Sequence, residues 1–360
     1  MKESQLKGLG LSAGAILVTG HTGFKGTWLT LLLEELGAQV IGFSLEPLEE
    51  SLFTALGRKG KIIEEFGDIR DYEKIEHFIF KNKPSYIIHM AAQPLVLKSY
   101  DDPLYTFEVN VMGTANILNI AFAEKSVRSV VVTTTDKVYK NTGNDLLFSE
   151  QDPLEGKDPY SASKVGAESV ITAWQHLGNF NDSPRVVAVR SGNVIGGGDY
   201  SPNRLFPDLV RAYFSKKELI VRNPYSTRPW QHVLDPLYGY LMVLGQSKDK
   251  KISKSFNFGP SEKSLSVEHV IKIAEQICKN KIKLVLDDEN ILIKKRPLKE
   301  AKNLDLNSGR ARNEIGWTPF WKQEDAVKDT IRWWQNVLEF GMSPNQACQL
   351  DLQAFLAWKK

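Results

Sequence analysis

Cysteine is nearly absent from this chain. Only Cys278 and Cys348 occur, far apart and in no metal-ligand spacing, so neither a disulfide framework nor a zinc site is expected, and the pair reads as reduced thiols of a cytoplasmic protein. Long apolar runs are also missing. No stretch reaches the ~18–20 residues of a membrane span, and the opening MKESQLKGLGLSAG is too short and polar for a secretory signal, so no membrane partner is expected. Charge of one sign is not concentrated anywhere: 46 basic and 43 acidic residues are interspersed, which argues against a nucleic-acid arm and points to a small partner. The histidines His21, His77, His89, His176, His232 and His269 show no ligand spacing, so no metal is expected; His89 reads as core and His21 as part of a turn. Internal repeats and low-complexity segments are absent too.

What is present is 360 residues, 42% of them hydrophobic, enough to bury a sizeable core in one large domain or two intimate ones. The stretch that organises the chain is ILVTGHTGFKG at residues 16–26. A short apolar run ends in Gly20, Gly23 and Gly26 and passes into the helix-like WLTLLLEELG. Glycines allow a sharp turn and close backbone approach to a ligand, while the positive end of the following helix favours a pyrophosphate. The spacing is G-x-x-G-x-x-G rather than G-x-G-x-x-G, but a second strand at 39–44 completes a βαβ unit, and the unit reads as dinucleotide-binding.

Alternation continues downstream. IIEEFGDIRD reads as a strand ending at Asp68, residues 72–81 as a helix, 86–92 as a strand, and 104–124 as one helix by its apolar spacing. The β-branched run 130–134 has the character of a central parallel strand, a helix opens at Asp158-Pro159-Tyr160 and runs to about 177, and 185–191 is a further strand. The fold class that follows is α/β, a doubly wound parallel sheet of the Rossmann type over residues 14–193, to which 229–260 returns. Residues 194–228 and 261–360 make a smaller α+β substrate-binding lobe. Within it, helices are expected at 205–214, 267–278 and 324–340, with strands near Phe256 and at 282–286; residues after 341 suit a terminal helix. Ligands of such sheets bind beyond the carboxyl ends of the strands, so residues after Thr19, Ser44, Gly67, Met90, Thr133 and Val189 should line one crevice.

Two constellations carry chemistry. Tyr160 and Lys164 are four residues apart, hence on one helix face, where an ammonium beside a phenol lowers a pKa of about 10 towards the range of a general base. TTTDKVY at 133–139 ends the β-branched strand at the crevice: Thr135 suits a substrate hydroxyl, Asp136 a general acid, and Lys137 is a further titratable group. Read alone, this segment is equally an ordinary polar loop.

Together these residues resemble the extended short-chain dehydrogenase/reductase family. TGHTGFKG, GDIRD, HMAAQPLV, NVMGT, TTTDKVY, DPYSASK, RSGNVIGGGD, RNPYSTRPWQHVLDPL, FNFGP and EIGWTP run in the family's order across nearly the whole chain. Within the family the chain is most similar to the nucleotide-sugar 4,6-dehydratases of the CDP-glucose group. Other dehydratases carry Asp-Glu after the threonine, with the glutamate as base at sugar C5; here, as in that group, the pair is Asp136-Lys137. A lysine abstracts a proton only when neutral, which demands a strongly lowered pKa.

The resemblance implies a tightly bound NAD, reduced and re-oxidised within each turnover, and a product CDP-4-dehydro-6-deoxy-D-glucose. Its implied cofactor set is Gly20, Thr22, Gly23, Phe24, Lys25, Gly26, Ser44, Asp68, Ile69, Ala91, Ala92, Gln93 and Asn110, with Tyr160 and Lys164. Ser44 stands where NAD-preferring relatives carry an acid, and with no Arg or Lys directly after it the reading favours NAD over NADP. The implied catalytic set is Thr135, Asp136, Lys137, Tyr160 and Lys164. The substrate set is Gln93, Thr135, Asn193, Arg204, Arg222, Asn223, Arg228 and His232, with Arg296 a further candidate; guanidinium forks suit a diphosphate. Relatives pair through two long helices, here 104–124 and 160–177, so a homodimer or homotetramer is expected. Three rivals stay open: a dehydratase for another nucleotide-sugar, a 4-epimerase, which needs no elimination pair, and a non-catalytic NAD-sensing protein, for which a broken tyrosine–lysine pair would be expected.

Overall fold

The computed structural model describes residues 6–11, 14–143, 147–178, 183–221, 223–246, 251–279, 281–286 and 304–359. Strand β1 (Ile16–Thr19) leads through the glycine turn into α1 (Phe24–Glu35) and back to β2 (Val40–Ser44). β3 (Ile63–Phe66), α2 (Tyr72–Asn82) and β4 (Tyr86–His89) come next, followed by α3 (Gly113–Ala123), β5 (Ser129–Thr133), α4 (Pro159–Leu177) and β6 (Arg185–Ser191). The rest contains α5 (Leu205–Phe214), α6 (Leu234–Gly245), β7 (Ser255–Phe258), α7 (Val267–Cys278), α8 (Gln323–Leu338) and α9 (Pro344–Trp358).

The seven strands form one sheet in the order β7-β6-β5-β4-β1-β2-β3, and every neighbouring pair is parallel. From β1 the chain winds outward to β3, crosses back, and continues from β4 in the other direction. That reversal opens a crevice beyond the carboxyl ends of β1 and β4. The strands read as unbroken apolar runs because both faces are covered, and successive side chains enter different cores. Ile16 and Val18 pack with Trp28, Leu32, Leu237 and Tyr240 of α1 and α6, whereas Leu17 packs with Ile75, Phe78, Ile117 and Ile171 of α2, α3 and α4. Each such fully buried side chain contributes about 1.5–3 kcal/mol.

The short strand near Phe256 is the outermost strand of this sheet, joined to β6 with Phe256 opposite Val189. Residues 284–286 pair in parallel with 219–221, outside the main sheet. The single helix expected over 104–124 is corrected: a turn of α-helix (Pro103–Phe107) widens into a π-turn (Glu108–Met112) before α3 begins. The reason is Asn110, buried with its amide tied to Gln93 and Ser163, while Met112 stays exposed. A wide turn rotates one residue inward without disturbing the apolar spacing on either side, so periodicity alone does not register it. The terminal helix also finds its partner here. Phe355 of α9 stacks on Trp321, with centroids 5.7 Å apart, and Cys348, Leu352 and Phe355 are buried.

Candidate active site

The glycine turn is built by close approach. Gly20 has φ 75°, and a Cβ there would stand 2.8 Å from the Ala91 nitrogen; one at Gly26 would stand 2.1 Å from the Gly20 carbonyl oxygen. The turn therefore packs on the loop after β4, and α1 packs on the turn. α1 begins at Gly23 with no side-chain cap and no acid in its first turn, so its positive end and amide donors are left for an anion. Around it, the Thr22 and Ser44 hydroxyls are 2.7 Å apart, and Thr22 also donates to the Leu45 carbonyl. Burial opposes ionisation of Asp68, but hydrogen bonds from Arg70 outweigh it and hold the carboxyl below its ordinary range. Ile69 is buried against Gly113, and Ala92 follows Ala91, whose N–H reaches Thr19 Oγ1. Phe24 joins the core, and the Lys25 ammonium donates to the hydroxyls of Tyr240 (2.9 Å) and Ser191 (3.3 Å).

His89 is a core residue as read, between Thr19 (2.7 Å) and Thr114 (3.2 Å). Burial, with the Lys164 charge behind it, pushes its pKa down to about 3, so it stays neutral. His21 is both turn and core: fully buried, it reaches Glu64 at 2.8 Å.

Asp158 caps α4 by accepting the Ser161 N–H at 2.9 Å, and Pro159 opens the helix. Tyr160, Lys164 and Glu168 then fall on successive turns of one face, all buried. The expected lowering of the phenol is corrected. Burial pushes Tyr160 up to about 12, while its hydrogen-bond contact with Thr135 and the Arg204 charge act against it. Lys164 Nζ points to the Thr133 carbonyl (3.4 Å), and burial together with the Lys25 charge brings it down to about 8. Desolvation of a phenol inside the crevice outweighs what the lysine spacing alone suggests.

At the end of β5, Thr135 donates to Asp136 Oδ1 (2.9 Å) and accepts from the Lys137 N–H (3.3 Å), which folds 136–138 into a tight 3₁₀ turn. Asp136 is 2% exposed and burial raises its pKa, against the pull of Lys137, Thr135 and Arg228. Its Oδ2 has no hydrogen-bond partner among the described residues. Gln93 lies across the crevice wall, its N–H on Asn110 Oδ1 at 2.9 Å.

The substrate set divides. Arg228 is buried with its charge felt at Asp136. Arg204 is half-exposed, 3.3 Å from Asp199 and close enough to influence Tyr160. Asn193 precedes the short strand 194–195 and accepts the Gln231 N–H through its carbonyl. Asn223 is an exposed turn residue whose side chain accepts the Tyr225 N–H. Arg222 and Arg296 lie outside the described residues. His232 is a correction: it is fully buried in the core, 3.9 Å from the Trp321 ring and 3.4 Å from Asp351 of α9. The motif around it reads as a substrate loop, but its chain folds inward to form the short strand beside 194–195.

Sequence reading missed the polar groups behind this wall. Glu168 accepts from Thr134 (2.6 Å) and from Arg190 through both of its oxygens (2.7 and 2.8 Å), and Arg190 donates also to the Tyr139 hydroxyl (2.8 Å). Glu168 was findable, four residues past Lys164 on the same face. Its pairing with Arg190 on β6 was not.

The sequence model of the GDP-mannose 4,6 dehydratase family matches residues 17–330. The chain belongs to that family. Within the GDP-mannose 4,6 dehydratase family and its neighbours, the chain is 40% identical over 327 residues to a CDP-glucose 4,6-dehydratase of Salmonella typhimurium, covering 88% of this chain and 89% of that protein. A dTDP-glucose 4,6-dehydratase of Haemophilus influenzae is 24% identical over 338 residues, covering 89% and 97%. Among solved structures, a dTDP-glucose 4,6-dehydratase of Bacillus anthracis in complex with NAD superposes with a TM-score of 0.74 at 23% identity, over 91% of this chain and all of that one. A UDP-glucose 4-epimerase of Thermotoga maritima with UDP-glucose reaches 0.77 at 20% identity, over 90% of this chain and all of that one. The family member thus has the expected sheet, and none of its described helices is long and apolar enough to cross a membrane.

Proposed function

We propose that the protein is a nucleotide-sugar 4,6-dehydratase converting CDP-D-glucose to CDP-4-dehydro-6-deoxy-D-glucose and water, in the cytoplasm. The observation that carries the reading is Asp136, a buried carboxyl with an oxygen unpartnered among the described residues, a raised pKa, and Tyr160 and Lys137 at hand. A 4-epimerase has no use for such an acid. The identity of 40% to a CDP-glucose enzyme over most of both chains favours cytidine as the base.

The glycine turn, the open start of α1, and the loops after β2, β3 and β4 fit a dinucleotide. NAD bound there supplies a hydride acceptor that returns the hydride within the same turnover. The chain's own groups manage protons. Tyr160 takes the C4 hydroxyl proton as its phenolate, the form that the Thr135 contact and the Arg204 charge favour against burial, with Lys164 one helical turn away. The resulting ketone acidifies C5, whose proton passes to Lys137 or to a water that Lys137 orients. Asp136, whose neutral form burial favours, delivers a proton to the departing C6 hydroxyl. Arg228 and Arg204, with Asn193, suit the diphosphate side of the substrate.

The exposed Leu104, Phe107 and Met112, on the turns that pack beside α4, suit a homodimer face, which sedimentation by analytical ultracentrifugation would test. The reading itself is tested by incubating the protein with NAD and CDP-, dTDP-, UDP- and GDP-hexoses and following loss of one water by mass. Water loss with CDP-glucose first is expected; inversion at C4 without water loss would make it an epimerase.

A further inference from the structure

The segment that carries Thr135, Asp136 and Lys137 is held at both ends by one buried ion pair. At its start, the Thr134 hydroxyl donates to Glu168 Oε1 at 2.6 Å. At its end, the Tyr139 hydroxyl accepts from Arg190 Nη1 at 2.8 Å and donates to Asn257 Oδ1 at 2.7 Å. Glu168 and Arg190 join the two anchors through paired contacts of 2.7 and 2.8 Å, each side chain 5% exposed. The Tyr139 ring is further fixed by stacking on Phe148, 5.1 Å away and 6° from parallel.

Glu168 stands on α4, one turn beyond Lys164 and two beyond Tyr160. Arg190 stands on β6 and Asn257 on β7. The pair therefore ties the helix bearing the tyrosine and lysine to the turn bearing the acid, and both to the rigid sheet. Two charges taken this far from water cost more than a hydrophobic pair of the same volume, so stability alone does not call for them. A bidentate carboxylate–guanidinium contact with further hydrogen bonds at each end does fix geometry.

We infer that Glu168 and Arg190 are positioning residues: their pair holds the 134–139 segment in register with Tyr160, so that the elimination acid and base face the sugar that the tyrosine has begun to oxidise. The inference rests on the dehydratase reading. It separates the two halves of the reaction. Tyr160 and Lys164 sit on the helix itself and keep their place when the segment loosens, whereas Asp136 and Lys137 do not.

The test removes one hydroxyl at a time and leaves the ion pair alone. Thr134→Val frees the start of the segment and Tyr139→Phe frees its end; Thr134→Ser keeps the hydroxyl as a control. Nucleotide-sugar binding by calorimetry, appearance of reduced nicotinamide on mixing, C5–deuterium exchange and water loss are measured on each variant beside its melting temperature. Expected are binding within about threefold of the parent, cofactor reduction slowed by no more than about tenfold because only the Thr135 contact to Tyr160 moves with the segment, and water loss and C5 exchange slowed about tenfold beyond that, since a displacement near 1 Å costs up to roughly 10² in rate. Thr134→Ser should retain the parent ratio of the two halves. If reduction and elimination fall together in either folded variant, or neither falls, the clamp has no positioning role. The two variants are independent, so one that folds is sufficient to decide. Absence of water loss in the parent protein would instead refute the dehydratase reading.

Discussion

Replacing Asp136 by asparagine removes a proton donor while keeping the shape of the turn. The Oδ1 atom that accepts from Thr135 at 2.9 Å remains an oxygen, so the 3₁₀ turn over 136–138 should persist. What is lost is the acid at Oδ2, the atom with no partner in the described structure. A positioned general acid is worth about 10²–10⁴ in rate, or roughly 3–5 kcal/mol on the elimination barrier. Oxidation at C4 needs no such donor. Asp136→Asn should therefore bind CDP-glucose and NAD, reduce the cofactor, and then stall, so that reduced nicotinamide accumulates by absorbance while water loss by mass falls in that range. The pH dependence gives a second readout. Burial raises the Asp136 pKa, so the acid form, and with it water loss, declines as pH rises through that raised value. The variant lacks this limb. Stability has the same sign: the protonated carboxyl stabilises the fold fully below its unfolded value of about 4, and that contribution is lost as pH rises through the folded value. Asp136→Asn should thus gain in melting temperature over the parent as pH goes from 4 towards 8. Loss of cofactor reduction together with water loss would refute the reasoning and make Asp136 a substrate-positioning group.

Tyr160→Phe should abolish cofactor reduction by a factor of about 10²–10⁴ while nucleotide-sugar binding by calorimetry survives; normal turnover would remove Tyr160 from the mechanism. Lys137→Ala should also stall after oxidation and lose exchange of the C5 hydrogen with solvent deuterium. Exchange at the parent rate would place the C5 base elsewhere. Phe355→Ala, which deletes the ring stacked on Trp321, should cost about 3–5 kcal/mol in urea unfolding; a change under about 1 kcal/mol would mean that α9 is only loosely docked.

The parallel sheet was legible because its strands are apolar on both faces and its helices keep their period, which needs no knowledge of distant contacts. The order of Tyr160, Lys164 and the TTTDKVY segment was legible for the same local reason. Other features depend on residues far apart in sequence. The phenol of Tyr160 lies at about 12 because the whole crevice desolvates it, an effect invisible in a four-residue spacing. His232 sits among arginines and polar loop residues in sequence, yet its surroundings are set by Trp321 and Asp351, roughly a hundred residues on. The π-turn at 108–112 escapes because one rotated residue leaves the helical period intact on both sides.

The docking of α9 has a consequence for how the chain is assembled during synthesis. Trp28, on the helix that follows the glycine turn, lies 6.0 Å from the His232 ring; His232 lies against Trp321, and Trp321 against Phe355. Gln349 reaches Glu35 directly at 3.4 Å. One stack of rings thus joins the first βαβ unit to the last helix. The amino-terminal sheet emerges from the ribosome long before that stack can close, with the apolar side of α1 uncovered in the meantime. The dinucleotide site acquires its final rigidity only when α9 arrives, so ribosome-stalled chains ending before 344 should expose Trp321, the ring that Phe355 covers, to chaperones, whereas chains that include α9 should not.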